Sequence, residues 1–264
     1  ILQDSQGFLW FGTEDGLNRY DGYVFNVYKP DPDIGTSIND RFINSIAEDQ
    51  EGYLWIATRL GGLNRYDPLT EEFVHYTHNP DEPSSISDNQ VNVLYIDKNN
   101  NLWVGTPNGL DLFDRRSNSF KHYAYDPLQQ EGGLTGKNIT ALFEDSRGRF
   151  WIGTSAGGLN RLNLQTGAFT FHQFNPGINS TISNDHVTAI VEDARSVLWV
   201  GTANGLNKFN PDTGVFERFL HSKADSRSIT DNYINDLLKD STGNLWIATN
   251  NGLDRLSVAG GRFI

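Results

Sequence analysis

The sequence predicts an all-β fold built from six copies of one four-stranded antiparallel unit, and three observations carry that expectation. Six tryptophans, Trp10, Trp55, Trp103, Trp151, Trp199 and Trp246, recur at intervals of 45, 48, 48, 48 and 47 residues. A fixed period in this range marks a repeat architecture. Each Trp sits in the same short phrase: LWFGT, LWIAT, LWVGT, FWIGT, LWVGT and LWIAT. Between these phrases lie short β-rich runs, with Gly, Thr, Asn and β-branched residues where helical repeats would carry Ala, Leu and Glu. Four short strands per unit, repeated six times, is the blade pattern of a β-propeller. A lone blade cannot bury both faces, so the Trp and Phe rows of each one are expected to pack on its neighbours. Residues 1–264 are therefore read as a single propeller domain, either six-bladed or part of a ring of seven or more blades.

The third copy shows the elements in order. Val91 to Ile96 reads as a first strand, ended by a polar turn at Asp97. Leu102 to Thr106 is a second strand, and Pro107-Asn108-Gly109 turns it into a third, Leu110 to Asp114. A turn over Arg115 to Ser119 leads to a fourth strand at Phe120 to Tyr123. Such runs separated by Asn, Gly, Asp and Pro are hairpin signals. The register is strict: Asp4, Asp49, Asp97, Asp145, Asp193 and Asp240 each precede their Trp by six residues, and Gly7, Gly52, Gly148 and Gly243 follow the Asp by three. An Asp-x-x-Gly turn suits a carboxylate that accepts backbone N–H bonds and a Gly at positive φ. Gly-Leu pairs follow each Trp, and a Phe comes ten residues after that Leu in five copies, eight in the first. At the ends, Ile1 to Asp4 matches only the close of a first strand and Gly261 to Ile264 only the start of a fourth, the pattern expected of a piece of a longer array.

Composition removes several function classes. The net charge is −12 with a pI near 4.8, so a phosphate backbone would be repelled and no nucleic acid is expected as a partner. Cys is absent, which excludes disulfides, thiolate metal sites and Cys nucleophiles. No run approaches the roughly 18 apolar residues of a membrane-spanning helix, so no membrane contact is expected within this segment. No cofactor is expected either.

Candidate chemistry must be weighed against turn and packing roles. Gly153-Thr154-Ser155-Ala156-Gly157 fits Gly-x-Ser-x-Gly, but a nucleophile elbow requires a strand-to-helix turn and this one falls in a hairpin. The six histidines are scattered: His75, His122 and His172 just after the repeat Phe, His78 and His221 in loops, His186 near a first strand. Six equivalent Asp residues argue for turn capping, since a catalytic pair needs two unequal environments. Asp31-Pro32-Asp33 and Asn210 to Gly214 lack calcium-loop spacing. What varies between copies is the better guide to function. The longest variable segments are Lys29 to Asp40, Thr77 to Asp88, Ala124 to Gly136, Asn175 to Asn184 and Leu220 to Asp231, expected on one face with the hairpins after the Trp strands. At the mouths of the first strands the copies differ: Arg41-Phe42, Asn89-Gln90, Lys137-Asn138, Asp185-His186 and Asn232-Tyr233. With Arg59, the residues Arg41, Phe42, Asn89, Gln90, Lys137, Asn138, His186 and Tyr233 mix amide, basic and aromatic groups that suit a polar ligand such as a sugar. The competing reading is that they only solvate the mouth.

The phrase [IV]-x-[ED]-D-x-x-G-x-[LF]-W-[IV]-G-T-x-x-G-L-[ND]-[RK]-[YF]-[DN] resembles the two-component regulator propeller repeat, in all six copies. Glu48 to Thr58 and Glu144 to Thr154 match it best. Ser196 departs from it where Gly is usual, and Ile96 where an acid usually precedes Asp97. The resemblance implies an extracytoplasmic, periplasmic sensor region of a hybrid histidine kinase or diguanylate cyclase receptor. It also implies glycan fragments as a ligand class, and neighbouring propeller or immunoglobulin-like domains as partners, with receptor dimers in view. The motif residues themselves are structural, so it transfers no ligand contact. Two alternatives stay open: a polysaccharide lyase-like enzyme, for which His186, Tyr233 and Arg41 would be the candidate groups, and a protein-interaction platform.

Overall fold

The computed structural model describes residues 1–127, 132–257 and 262–263. Among them every regular element is a β-strand, and the strands form six four-stranded antiparallel sheets, each laid out in sequence order. This is the all-β propeller class with one sheet per Trp phrase. The strands fall into two compact units, Ile1–Ala124 with blades 1 to 3 and Tyr125–Ile264 with blades 4 to 6. In blade 2, which is typical, they are Ile43–Glu48, Leu54–Thr58, Leu63–Asp67 and Glu72–Tyr76. The other first strands are Leu2–Gln3, Val93–Ile96, Ile139–Glu144, Val187–Glu192 and Ile234–Lys239. The one in blade 3 starts two residues later than the sequence suggests. The Val91 N–H is drawn away to the Thr58 carbonyl of blade 2 (2.9 Å) instead of pairing within its own sheet.

The repeated Asp does more than cap a turn. In blade 2 the Oδ1 of Asp49 accepts the N–H groups of Glu51 and Tyr53 (3.1 and 3.0 Å), while Oδ2 accepts the indole N–H of Trp55 at 2.7 Å. The same Asp-to-Trp bond closes blades 1, 3, 4, 5 and 6, at 2.7 to 3.2 Å. A buried indole N–H needs an acceptor, and the six-residue spacing delivers one across the hairpin. Gly7, Gly52, Gly148 and Gly243 all take positive φ as expected, and Asn100 and Ser196 adopt the same conformation (64° and 58°) without being Gly.

Blades pack face to face within each unit. In the first junction Trp10 and Leu17 of blade 1 share a buried cluster with Leu54, Ile56, Tyr66 and Phe73 of blade 2 and with Ile38 of the connecting loop. The junctions between blades 2 and 3, 4 and 5, and 5 and 6 repeat this scheme, with Ile86, Ile182 and Ile229 as the loop side chains. Below each loop Ile a buried polar pair ties the loop to the next sheet. Ser183 N–H donates to Asn207 Oδ1 (2.9 Å), and Asp111 and Asp254 take the Asn role in blades 3 and 6. Gly62 completes the hairpin at φ +76°, where a Cβ would lie 2.3 Å from the Tyr76 carbonyl oxygen.

Candidate functional site

The inter-blade loops are less variable than they read. In four of them a backbone N–H reaches a hydroxyl six residues on: Asp31 to Ser37, Asn79 to Ser85, Asn175 to Thr181 and Ser222 to Ser228, at 2.9 to 3.0 Å. Each loop is then clamped from a fourth strand or from its own start. His75 bonds the Ser37 carbonyl, His78 the Ile86 carbonyl, His122 the Pro83 carbonyl and His221 the Ile229 carbonyl. Arg218 does the same for the carbonyls of Ile178, Thr181 and Ile182. So five side chains with possible chemistry hold loops in place. The spacing Asp/Asn/Ser to Ser/Thr over six positions was present in the sequence, but it is masked by non-repeating residues between.

Rigid loops make rigid mounts for the residues at the starts of the first strands. The N–H groups of Phe42, Gln90, His186 and Tyr233 donate to the side chains of Asp40, Asp88, Asn184 and Asp231 two residues back. The carbonyls of Phe42, Asn138, His186 and Tyr233 accept N–H groups from the hairpins, from Arg59, Ser155, Ala203 and Asn250 at 2.9 to 3.2 Å. In blade 3 the hairpin residue is Pro107, which has no N–H to give Gln90. Loops and hairpins therefore do share a face in each unit, as expected. Asp40 Oδ2 accepts from Leu60 and Gly61, and Asn108 Nδ2 donates to Asp88.

In the first unit the structure brings two of the five candidates together. The Arg59 guanidinium stands 5.0 Å from the centre of the Phe42 ring, with Arg59 and Arg41 exposed and Phe42 half-buried. Gln90 is also half-buried and donates its amide to Asn92 Oδ1 at 3.0 Å. Asn89 is placed otherwise: its Oδ1 accepts the His78 N–H at 2.7 Å, and Asp185 and Asn232 make the same loop contact to Phe174 and His221. These three side chains read as loop staples.

In the second unit His186 and Tyr233 meet edge to face, 6.1 Å apart at 90°. Burial alone holds the His186 imidazole below its ordinary value, so it is neutral at neutral pH and can both donate and accept. Lys137 is exposed and its Nζ lies 5.9 Å from the Tyr125 ring; Tyr125 was missed because nothing in its loop repeats. Asn138 is half-buried, with its carbonyl committed to Ser155. The first unit thus displays one aromatic group beside a cationic one and the second displays two beside a polar or cationic one, surfaces that can stack on a sugar ring while donating hydrogen bonds to its hydroxyls.

The other candidates take structural places. Ser155 lies in the hairpin between Phe150–Thr154 and Leu159–Leu162, with no helix following. Ser87, Asp111 and His122 come together, with Ser87 Oγ 2.8 Å and His122 Nδ1 2.6 Å from the carboxylate. Both lean on the Asp rather than on each other, so the His cannot serve the Ser as a base. Among the described residues no group of three His, Asp or Glu side chains is arranged to hold a metal, and no helix is long and apolar enough to cross a membrane.

Comparison with known proteins sets these features in context. The sequence profile of the two component regulator propeller family matches residues 1–15, 37–59, 85–108, 133–156, 181–204 and 228–251, about half of the chain. A solved structure named as the extracellular domain of a hybrid two-component system of Bacteroides thetaiotaomicron superposes with a TM-score of 0.82. It is 30% identical over 99% of this chain, which covers 34% of that one. A second such extracellular domain from the same organism gives 0.69 at 23% identity, covering 96% of this chain and 37% of its own. Virginiamycin B lyase of Staphylococcus aureus gives 0.66 at 16% identity, over 96% of this chain and 78% of its own, which shows the fold alone. Histidine kinase P4 of Formosa agariphila is 51% identical over 39 residues, 15% of this chain and 3% of that protein. The chain thus spans about a third of the first of these structures and a small part of the kinase.

Proposed function

The chain belongs to the two-component regulator propeller family, and from that premise we propose that it is a non-enzymatic, ligand-sensing segment of a bacterial signalling receptor, placed on the periplasmic side of the membrane. The observation that carries this reading is the 30% identity, over 99% of the chain, to an extracellular domain of a hybrid two-component system. Its ligand is a small polar molecule of the glycan class. Each unit offers its own surface for it: in the first, Phe42 supplies the stacking face and Arg59, Arg41 and Gln90 the polar contacts; in the second, Tyr233 supplies the stacking face and His186 and Lys137 the polar contacts. The backbones of Phe42, His186 and Tyr233 are pinned from both sides, so binding there orders little chain and loses little entropy. The weaker reading, a lyase, draws on the 16% identical propeller enzyme and needs a base beside His186 or Tyr233. The polar bonds around that pair go to the Asn184 and Asp231 caps and the hairpin backbone, which are structural roles.

The test is a screen of oligosaccharides against the purified chain, followed by calorimetry with the best binder. Arg59→Ala should weaken binding at the first unit and Tyr233→Ala binding at the second, each at least about tenfold, the loss of one good stacking or charged contact, with unchanged circular dichroism. Unaltered affinity in both variants would show that the ligand binds elsewhere. Turnover of the saccharide by the isolated chain would support the enzyme instead.

A further inference from the structure

One position in the fourth strand clamps the loop ahead of its blade in three different ways. His75, His122 and Arg218 stand in register opposite a buried polar residue of the third strand, which is Asn64 in blade 2, Asp111 in blade 3 and Asn207 in blade 5. Arg218 carries a permanent charge and enough N–H groups for the three carbonyls it holds. His75 bonds a single acceptor among the described residues, the Ser37 carbonyl at 2.7 Å, and a neutral ring has the one N–H this needs. His122 differs from both. Its Nδ1 lies 2.6 Å from Asp111 Oδ1 and its Nε2 lies 2.8 Å from the Pro83 carbonyl oxygen. The other carboxylate oxygen of Asp111 accepts the Ser87 N–H and hydroxyl, at 2.8 Å each. With an acceptor facing each ring nitrogen, the two His122 bonds form together only when the ring is an imidazolium.

We propose that His122 is a proton-operated latch on the loop between blades 2 and 3, closed while the imidazolium ties Pro83 to Asp111 and open once Nε2 has given its proton to solvent. The remaining proton stays on Nδ1, against the carboxylate, which is the stronger of the two acceptors. The Nε2 lone pair then faces the Pro83 carbonyl oxygen, and an attractive contact becomes a repulsive one. The Phe120 N–H keeps its bond to the Ser84 carbonyl (2.8 Å), so release is confined to the stretch from Asn79 to Pro83. With His78, Ser87 and His122 that stretch lines a hollow of about 230 Å³, which widens as the latch opens. The bond to Asp111 raises the His122 value above the ordinary 6.5, against the opposing effect of burial. The latch is therefore closed below pH 6.5 and opens as pH rises through the raised value. Besides Asp111, the groups around the ring that carry or can take charge are Glu82 and His78 of the loop. The Glu82 carboxylate favours the imidazolium. His78 holds the Ile86 carbonyl through one N–H (2.8 Å), which both states of its ring can supply. Lys121, next on the same strand, lies on the other face of the sheet, with its Nζ 4.8 Å from the Tyr123 ring.

Nuclear magnetic resonance can follow the ring and the loop in one sample. The imidazole nitrogen shifts of His122 should report an imidazolium below the transition and the Nδ1–H tautomer above it. Over the same pH interval the order parameters of the Asp81 and Glu82 amides should fall from about 0.85 to below about 0.6. These amides turn on Asn79 as Asp33 and Ile34 turn on Asp31, in the loop under His75, and as Gly177 and Ile178 turn on Asn175, in the loop under Arg218. Those counterparts should not change. Two substitutions copy the sister blades. His122→Arg, after Arg218, and Asp111→Asn, after Asn64, should keep Asp81 and Glu82 ordered at every pH, the second because a neutral ring facing an amide can keep its proton on Nε2. A ring that titrates while the order parameters and relaxation dispersion of Asp81 and Glu82 stay flat would overturn the proposal. So would a ring found neutral throughout with its proton on Nε2, or a loop that loosens at the same pH in His122→Arg. The native chain decides the matter by itself if either variant fails to fold.

Discussion

Removing the carboxylate of Asp49 tests whether the repeated acid is scaffold or site. Asp49 is buried, and it accepts the Trp55 indole N–H (2.7 Å), two backbone N–H groups (3.0 and 3.1 Å) and Arg115 Nη1 (2.9 Å). In Asp49→Ala the indole N–H is left buried without an acceptor, at about 1–3 kcal/mol, and each backbone bond lost adds about 1. Arg115 is one-third exposed and regains water, so its ion pair adds little. The expected loss is about 3–5 kcal/mol, in line with removing one partner of a buried charged network. Asp49→Asn keeps the acceptor for the backbone but turns an amide N–H toward two donors, for about half that loss. Urea unfolding followed by Trp fluorescence and far-UV circular dichroism measures both. A loss under about 1 kcal/mol for Asp49→Ala would refute the reasoning, and a functional role for the Asp row would have to be reopened.

Other outcomes follow from the same geometry. Ser196→Gly should stabilise the chain by up to about 1 kcal/mol, because relief of left-handed strain of about 1–2 exceeds the added chain entropy; thermal melts decide it. Gly62→Ala should cost more than about 3 kcal/mol, since its Cβ would meet the Tyr76 carbonyl, whereas Gly52→Ala has open space and loses only the strain of about 1–2. Two histidines should give opposite pH signatures. Its hydrogen bond to Asp111 raises the His122 value above the ordinary 6.5. That contribution is complete below pH 6.5 and fades as pH rises through the raised folded value. Burial, with the Arg161 charge as a lesser cause, depresses His172, so it costs stability as pH falls below 6.5 toward the folded value. His122→Gln should therefore flatten the alkaline side of a stability–pH profile and His172→Phe the acidic side; identical profiles for both variants would contradict the assignments.

The repeat made much of this molecule legible. The Trp period, the Asp-x-x-Gly turns and the Gly-Leu hairpins are local signals, each acting within a few residues, so blade number in this chain, strand order and turn conformation could be read directly. The family followed from the same residues. Even Asn100 and Ser196, which lack the expected Gly, hold its positive φ, because the Asp carboxylate and the sheet pairing on either side dictate that conformation.

Contacts between blades were a different matter, since they join residues about one repeat apart whose partners no local pattern identifies. His75, His78, His122 and His221 looked scattered and prove to be clamps on loop carbonyls. Four of the loops looked variable and share one hydrogen-bond frame. Asn89 looked like a ligand group and is a staple for His78, while Phe42 with Arg59 and His186 with Tyr233 became pairs only when hairpin and loop were brought side by side. Local chemistry along the chain was enough to specify the blade. Which side chains are spent on holding blades together, and which remain to meet a ligand, depends on burial across junctions, and burial is a property of the packed fold.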